Sequence, residues 1–95
     1  MYKLFIFLKS NEKELIENFS SSTLALVKNL NTKYYFGKIE GSALTEDKFT
    51  YVIEIITNNS DEMNKLLVSP NGKNLLRDLS NYMNNVTTFT TEFKD

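Results

Sequence analysis

The clearest pattern lies near the end of the chain, where apolar residues recur every three or four positions. Ser69 followed by Pro70 is typical of a helix start, because the serine hydroxyl caps the first turn and proline has no amide hydrogen to leave unpaired. The helix face that we expect to be buried carries Leu75, Leu76, Leu79, Tyr82 and Met83. The face that we expect in water carries Lys73, Arg77, Asp78 and Asn81.

Two segments alternate with a period of two and predict strands. After Asn85 the last strand places Phe89, Thr91 and Phe93 on one side and Thr88, Thr90 and Glu92 on the other. Residues 2–8 predict a first strand that is apolar on both sides, with Leu4, Ile6 and Leu8 opposite Phe5 and Phe7. A strand of this kind is typical of the middle of a sheet that is covered on both faces.

A helix is predicted after the first strand, from a capping box formed by Asn11 and Glu14 to a stop near Asn31. Its buried positions are Leu15, Ile16, Phe19, Thr23, Leu26, Val27 and Leu30. Three consecutive serines, residues 20–22, interrupt it. Because serine hydroxyls compete for backbone hydrogen bonds, this stretch predicts a bend with a function or, as the more frequent case, an exposed surface.

Two more strands are predicted in the middle of the chain, over residues 33–40 and 49–56. The polar connection between them, residues 41–48, is too short for a crossover helix, so the two strands should be antiparallel. Gly37 suggests a bulge or a close approach. Glu54 lies among aliphatic neighbours, where burying a carboxylate is costly, and this indicates an edge position or a pocket.

A short helix with Met63, Leu66 and Leu67 follows, with a cap that Glu62 supports, and Pro70 separates it from the last helix. The order is therefore β-α-β-β-α-β in a single domain, residues 1–95. Right-handed crossovers place both helices on one face of a four-stranded antiparallel sheet. This is the α+β ferredoxin-like sandwich.

The second face of this sheet has no helix to cover it. The residues expected there are Phe5 and Phe7, with either Tyr34 and Phe36 or Tyr35 and Ile39. Such a patch is larger than monomers usually expose, and a lone core is marginal at 95 residues. We therefore expect a homodimer that pairs the open sheet faces.

Composition excludes several kinds of chemistry. The chain has no Cys and no His, so disulfides, thiolate nucleophiles, imidazole bases and Cys/His metal or haem sites are excluded, and we expect no metal and no cofactor. Because the net charge is -1, neither nucleic acid nor an anionic membrane is an expected partner. The apolar run near the start is too short for a membrane span or a convincing signal peptide, so we expect a cytoplasmic location.

Residues 66–92, LLVSPNGKNLLRDLSNYMNNVTTFTTE, resemble the end of EthD-type proteins of the dimeric α+β barrel superfamily. In that family a helix, Ser-Pro, a Leu-rich helix, an Asp and an aromatic residue precede the last strand. The strand around Glu54 is similar too. The first-helix motif of the family, His-x-Pro-Leu, matches Thr23, Leu24, Ala25 and Leu26, so only the leucine is kept. The resemblance implies a dimeric barrel and cofactor-free monooxygenase, isomerase or binding roles, and loss of the histidine favours binding.

The side chains left for chemistry are carboxylates, tyrosines and amides. Glu54 could transfer a proton, and Tyr34 or Tyr35 could orient a carbonyl or phenol group. The candidate ligand-binding residues are Phe19, Thr23, Leu26 and Tyr35. A purely structural role is the more frequent case for such residues. Glu54 would then lie in an ion pair, and the aromatic residues would lie in the core or in an interface.

The first functional hypothesis is an EthD-like dimer that binds a small apolar or aromatic molecule between sheet and helices, with at most weak cofactor-free activity. The second is a non-catalytic structural or assembly protein. RRM-like and ACT-like modules share the element order, and Phe49 and Tyr51 imitate the stacking aromatics of an RRM, but no basic stripe accompanies them. An apolar pocket between sheet and helices would favour the first hypothesis over the second.

Overall fold

The computed structural model describes residues 1–43 and 48–94. Its strands are β1 Tyr2–Leu8, β2 Lys33–Lys38, β3 Tyr51–Thr57 and β4 Val86–Glu92. Its helices are α1 Lys13–Asn18, a π-helical segment Phe19–Thr23, α2 Leu24–Lys28, α3 Ser60–Val68, α4 Pro70–Ser80 and a 3-10 turn Met83–Asn85. The first three helical pieces run on as one helix, so the predicted element order is confirmed. Of the predicted connection, residues 44–47 lie outside the described residues.

The strands of the described chain form one sheet in the order β2-β3-β1-β4, and every neighbouring pair is antiparallel. This is the predicted ferredoxin-like arrangement. Glu54 lies opposite Phe5 in the register of β3 with β1, and opposite Tyr35 in that of β3 with β2. The edge position expected for Glu54 is therefore wrong, because β3 has a neighbour on each side.

The core lies between the helices and one face of the sheet. Its side chains without exposed surface include Ile6, Leu8, Phe19, Val27, Ile53, Ile55 and Leu75. Burying one such side chain stabilises the fold by about 1.5–3 kcal/mol. Alternation along β1 then places Phe5 and Phe7 on the opposite face.

The predicted caps of the last two helices are confirmed. At the start of α3, Asn59 Oδ1 accepts a hydrogen bond from the Glu62 amide at 2.9 Å. The Asn58 amide donates to Glu62 Oε2 at 2.9 Å, and this bond holds the pKa of Glu62 below its ordinary value. At the start of α4, Ser69 Oγ accepts from the Gly72 amide at 3.1 Å.

The capping box predicted at Asn11 is wrong. The helix begins after Glu12, where no side chain caps it, and the Glu12 amide donates instead to Ser10 Oγ at 3.0 Å. The Ser10 hydroxyl, one residue before Asn11, thus accepts a hydrogen bond just ahead of the helix without capping its first turn. At the other end α2 stops at Lys28, and Asn31 then has a left-handed backbone with φ 55°, which is typical of a helix exit.

The serine stretch produces the π-helical segment. Ser20 Oγ donates to the Ile16 carbonyl at 2.8 Å, and Ser21 Oγ donates to the Glu17 carbonyl at 2.5 Å. Hydroxyls that bond to carbonyls one turn earlier compete with the regular helix ladder, and single π turns often mark functional sites. Ser21 and Ser22 are exposed and Ser20 is partly exposed, so the stretch agrees with the more frequent alternative, an exposed surface of this helix.

Two further expectations about side chains are wrong. Leu76 and Met83 are 45% and 67% exposed, because Leu76 faces away from the sheet and the helix ends at Ser80 before it reaches Met83. Gly37 pairs with Val52 in an unbroken register, and a Cβ at Gly37 would come no closer than 3.9 Å to Val52. Neither a bulge nor a close approach is therefore present at Gly37.

Candidate functional site

A partly buried cluster of polar side chains joins the π-helical segment to α4. Thr23 has no exposed surface, and its Oγ1 lies 2.6 Å from Asp78 Oδ2. The same hydroxyl forms a short hydrogen bond with the Tyr82 hydroxyl, and Tyr82 also bonds to the Asn18 side chain. We name Asn18, Thr23, Asp78 and Tyr82 the hydroxyl cluster.

The hydrogen bonds of the hydroxyl cluster have one direction. A carboxylate only accepts, so Thr23 donates its single hydroxyl hydrogen to Asp78. Tyr82 must then donate to Thr23 Oγ1, and Asn18 donates its amide hydrogen to the Tyr82 oxygen. The chain of donors runs from Asn18 through Tyr82 and Thr23 to Asp78.

Tyr82 stays protonated at neutral pH. Burial raises its pKa to about 12, and the negative charge of Asp78 acts in the same direction. The hydrogen bonds of Tyr82 to Thr23 and Asn18 lower the pKa, but burial is the larger effect. Tyr82 is therefore a neutral phenol that donates and accepts hydrogen bonds, and it does not act as a base by itself.

The end of α4 brings Asp78 and Tyr82 to the same place. Asp78 lies in the last turn of α4, which ends at Ser80, and Tyr82 follows two residues later with a backbone that is no longer helical. On the facing helix, Phe19 and Thr23 bound the π-helical segment, and both are buried. Phe19 packs against Phe36 of β2 with ring centroids 6.3 Å apart. The π-helical segment thus contacts the sheet through Phe19 and α4 through Thr23.

A surface groove of about 430 Å³ reaches the hydroxyl cluster. Its lining residues are Glu14, Leu15, Glu17, Asn18, Ser21, Ser22, Asn81 and Tyr82. We name it the helix groove. Its volume falls in the range of small-molecule sites. Asn18 and Tyr82 belong to both the helix groove and the hydroxyl cluster, so a molecule in the groove would lie next to the buried hydrogen bonds.

The structure brings together only part of the predicted ligand-binding set. Phe19 and Thr23 are buried beside each other on the helix side, and Leu26 packs at the margin of the same core. Tyr34 is partly buried on that side of the sheet. Tyr35 points to the other side and is 53% exposed, so it does not share a site with Phe19 and Thr23.

Sequence reasoning missed the role of Asp78. We expected this residue in water on the polar face of the last helix, yet it accepts the hydrogen bond of a fully buried threonine. The available signal was the spacing of Asp78 and Tyr82, four positions apart, together with the Asp and the aromatic residue of the EthD resemblance. The partner Thr23 is 55 positions away in the chain, and no local pattern shows that pairing.

The uncovered side of the sheet forms a second candidate surface, which we name the open face. It consists of Lys3, Phe5, Phe7, Tyr35, Val52, Glu54, Phe89 and Phe93. Phe5 and Phe7 stack with ring centroids 6.0 Å apart. Lys3 Nζ lies 3.7 Å from Glu54 Oε2 and 5.0 Å from the centre of the Phe93 ring. Glu54 is thus paired with a lysine on an aromatic surface.

Metal-binding and membrane-spanning features are absent from the part of the chain that the structure describes. Within residues 1–43 and 48–94, no group of three or more acidic side chains is arranged to hold a metal ion. No helix in these residues is long and apolar enough to cross a membrane.

The fold is shared with solved structures of low sequence identity. An ethyl tert-butyl ether D (EthD) family protein from Bacillus halodurans matches with a TM-score of 0.86 at 18% identity, over 99% of this chain and 99% of that chain. A dimeric ferredoxin-like protein of unknown function from Jannaschia matches with a TM-score of 0.80 at 10% identity, over 97% and 98% of the two chains. Hydroxynitrile lyase from Passiflora edulis matches with a TM-score of 0.68 at 14% identity, over 99% and 94%.

These matches confirm the predicted resemblance to EthD-like and dimeric ferredoxin-like proteins at the level of the fold. At such identities a shared fold does not carry a shared activity. No family model matches the sequence. No curated protein matches it either.

Proposed function

We propose that this chain binds a small aromatic molecule in the helix groove, next to the hydroxyl cluster, and has at most a weak cofactor-free activity. The observation that carries the proposal is the overlap of the helix groove with a buried, directed chain of hydrogen bonds ending at Asp78. A few fixed polar side chains of this kind orient a ligand in a small-molecule site. Two of the structural neighbours carry the names of an EthD family protein and a hydroxynitrile lyase.

The direction of the hydrogen bonds defines the ligand group that fits. Tyr82 gives its hydrogen to Thr23 and accepts one hydrogen bond from Asn18, so the second lone pair of its oxygen is left for a donor in the helix groove. A phenol or enol hydroxyl of the ligand is such a donor. Its proton could pass to Tyr82 while Tyr82 passes its own to Thr23 and Thr23 passes its own to Asp78. The ligand would become an oxyanion and Asp78 a neutral acid, with no cofactor needed for this step.

Titration of the isotope-labelled protein with 2-naphthol and with naphthalene, followed by NMR, tests the proposal. We expect the amide signals of Asn18, Ser21 and Tyr82 to shift with both compounds. The Tyr82→Phe variant should bind 2-naphthol about tenfold more weakly, because it lacks one buried hydrogen bond, and should bind naphthalene with unchanged affinity. Tyr51→Phe is the matched control, since Tyr51 stacks on Phe36 away from the groove. Two results would refute the site. One is a set of signal shifts confined to the open face, and the other is an equal loss of 2-naphthol affinity in Tyr82→Phe and Tyr51→Phe.

We also propose that the chain is a homodimer through the open face. On this face Phe89 and Tyr35 are 55% and 53% exposed, and together with Phe5 and Phe7 they make an apolar surface that a second copy can cover. A specific interface buries about 800 Å² per partner, which is within reach of one face of a four-stranded sheet. The Jannaschia neighbour is described as dimeric.

Light scattering on a size-exclusion column tests the dimer. We expect twice the mass of the 11.0 kDa chain for the unaltered protein and a monomer for Phe7→Glu. Met83→Glu is the matched control, because Met83 is 67% exposed and lies outside the open face. If Phe7→Glu fails to fold, Phe89→Glu on the same face takes its place. A folded monomer of the unaltered chain contradicts the proposal. A dimer that binds neither compound favours the structural or assembly role.

A further inference from the structure

A second cleft lies at the end of the sheet where β1 and β2 end and β3 begins, and it shares no lining residue with the helix groove. It has a volume of about 510 Å³. Its lining residues are Lys9, Ser10, Asn11, Lys38, Ile39, Lys48, Phe49 and Thr50. We name it the lysine cleft. Its three lysines come from the ends of three segments, after β1, at the end of β2 and before β3, so the tertiary structure alone brings them together.

The floor of the lysine cleft is fixed by hydrogen bonds between these segments. The Thr50 amide donates to the Leu8 carbonyl at 2.8 Å, and Thr50 Oγ1 donates to the Ser10 carbonyl at 2.9 Å. The Ile39 amide donates to the Thr50 carbonyl at 2.9 Å. The pairing of the strands thus continues past their ends and holds the backbones of the lysine-bearing segments in place.

The described lining of the lysine cleft carries positive side chains and no acidic one. Within residues 1–43 and 48–94, neither Lys9, Lys38 nor Lys48 forms an ion pair, and the described residues of the lining include no carboxylate. Among the described residues, the lining of the cleft therefore carries three positive charges that favour an anion, although the whole chain has a net charge of -1. Phe49 and Ile39 add an apolar wall, and Phe49 is held against Phe7 with ring centroids 5.1 Å apart.

We propose that the lysine cleft binds a small organic anion, with its carboxylate among Lys9, Lys38 and Lys48 and its apolar part against Phe49 and Ile39. The chemistry is that of an aromatic carboxylate. A lysine ammonium binds an anion as a point charge, without the planar geometry that arginine requires. This site is separate from the helix groove and does not depend on the function proposed for it.

Benzoate, acetate and benzyl alcohol distinguish the contributions of charge and ring when each is titrated into the full chain and followed by NMR. We expect benzoate to shift the amides of Lys38, Ile39 and Phe49, and to bind about threefold or more tighter than acetate because its ring contacts the apolar wall. Benzyl alcohol should not bind, since it has the ring without the charge. A rising salt concentration should weaken the binding of benzoate, because salt screens the charges of the lysines.

Charge-removing variants complete the test. Lys38→Gln and Lys48→Gln should each weaken benzoate binding by about threefold, as expected for the loss of one partly screened charge. The double variant should weaken benzoate binding by about tenfold. Lys73→Gln is the matched control, because Lys73 is an exposed lysine of α4 outside the cleft. An equal effect of Lys73→Gln, equal binding of acetate and benzoate, or benzoate shifts located elsewhere would each overturn the proposal. All three lysines are exposed, so the variants should remain folded.

Discussion

The same four strands present two different surfaces on the two faces of the sheet. The middle of the helix-covered face is aliphatic and closed, with no exposed surface on Ile6, Leu8, Ile53 and Ile55. The open face is aromatic and accessible, with Phe89 55% exposed. The apolar character of β1 on both sides therefore has two explanations. One side completes the fold of the chain itself, and the other remains available to a second molecule.

The polar side chains of the two faces differ in the same way. On the helix side, Thr23 is fully enclosed and its hydroxyl is satisfied by Asp78 and Tyr82. On the open face, Lys3 and Glu54 form an ion pair whose side chains stay 18% and 25% exposed. The buried members of the hydroxyl cluster, Thr23 and Tyr82, are neutral hydroxyls, which cost less to bury than charges, and the carboxylate of Asp78 is only partly buried. In a single chain, the ion pair between Lys3 and Glu54 keeps part of its contact with water, so its charges are not fully desolvated.

Truncating the closed face should have the largest effect. Ile6→Ala should lower the free energy of unfolding by about 2–5 kcal/mol, because it removes buried methyl groups and leaves a cavity. The dissociation constant of the dimer should not change. Phe89→Ala on the open face should do the reverse and mainly raise that dissociation constant. Chemical denaturation and analytical ultracentrifugation of both variants measure the two effects, and equal profiles would abolish the distinction between the faces.

The helical layer that covers the closed face depends on Gly72. A Cβ at this position would lie 2.1 Å from the Leu66 carbonyl oxygen and 2.6 Å from that of Leu67, so α3 and α4 would have to separate. Gly72→Ala should therefore lower the free energy of unfolding by about 3 kcal/mol, in spite of the better helix propensity of alanine. Gly41→Ala is the control, since nothing lies within 4 Å of a Cβ there. Similar melting curves for the two variants would count against this packing.

Alkaline pH should lower the free energy of unfolding through the buried phenol of Tyr82. Its pKa is raised from 10.0 to about 12, so between these values the unfolded chain loses the phenol proton and the folded chain keeps it. The stability that Tyr82 contributes is fully present below pH 10 and is lost as the pH rises through 12. The free energy of unfolding should fall over this range by roughly 2 kcal/mol more than in Tyr82→Phe. Denaturation at several pH values measures the difference, and parallel curves would show that burial does not perturb this phenol.

The smallest effect is expected outside both faces. Leu76 is 45% exposed on the outer side of α4, although its neighbour Leu75 has no exposed surface. Leu76→Ala should change the free energy of unfolding by about 0.5 kcal/mol or less, as is usual for surface positions. Leu75→Ala, measured in the same denaturation experiment, should cost several times more. A large effect of Leu76→Ala would indicate that a partner covers this surface.

The open face could be predicted only in part from the sequence. The alternation in β1 predicts that Phe5 and Phe7 share one side, and the structure agrees. Alternation alone does not decide which of two sets of β2 residues lies on the open face. The register of β2 with β3 places Tyr35 on this face and Tyr34 on the other. A shift of one residue in that register would exchange the two tyrosines, which is why the sequence leaves the choice open.

The order of the elements and the caps at Asn59 and Ser69 were determined by the sequence itself, because periodicity and capping act over three or four neighbouring residues. The meeting of Thr23 with Asp78 and Tyr82, across 55 and 59 positions, was decided by the tertiary structure. So was the grouping of the three lysines around one cleft. Such contacts depend on how the sheet pairs and how the helices pack against each other, and no stretch of the chain specifies either by itself.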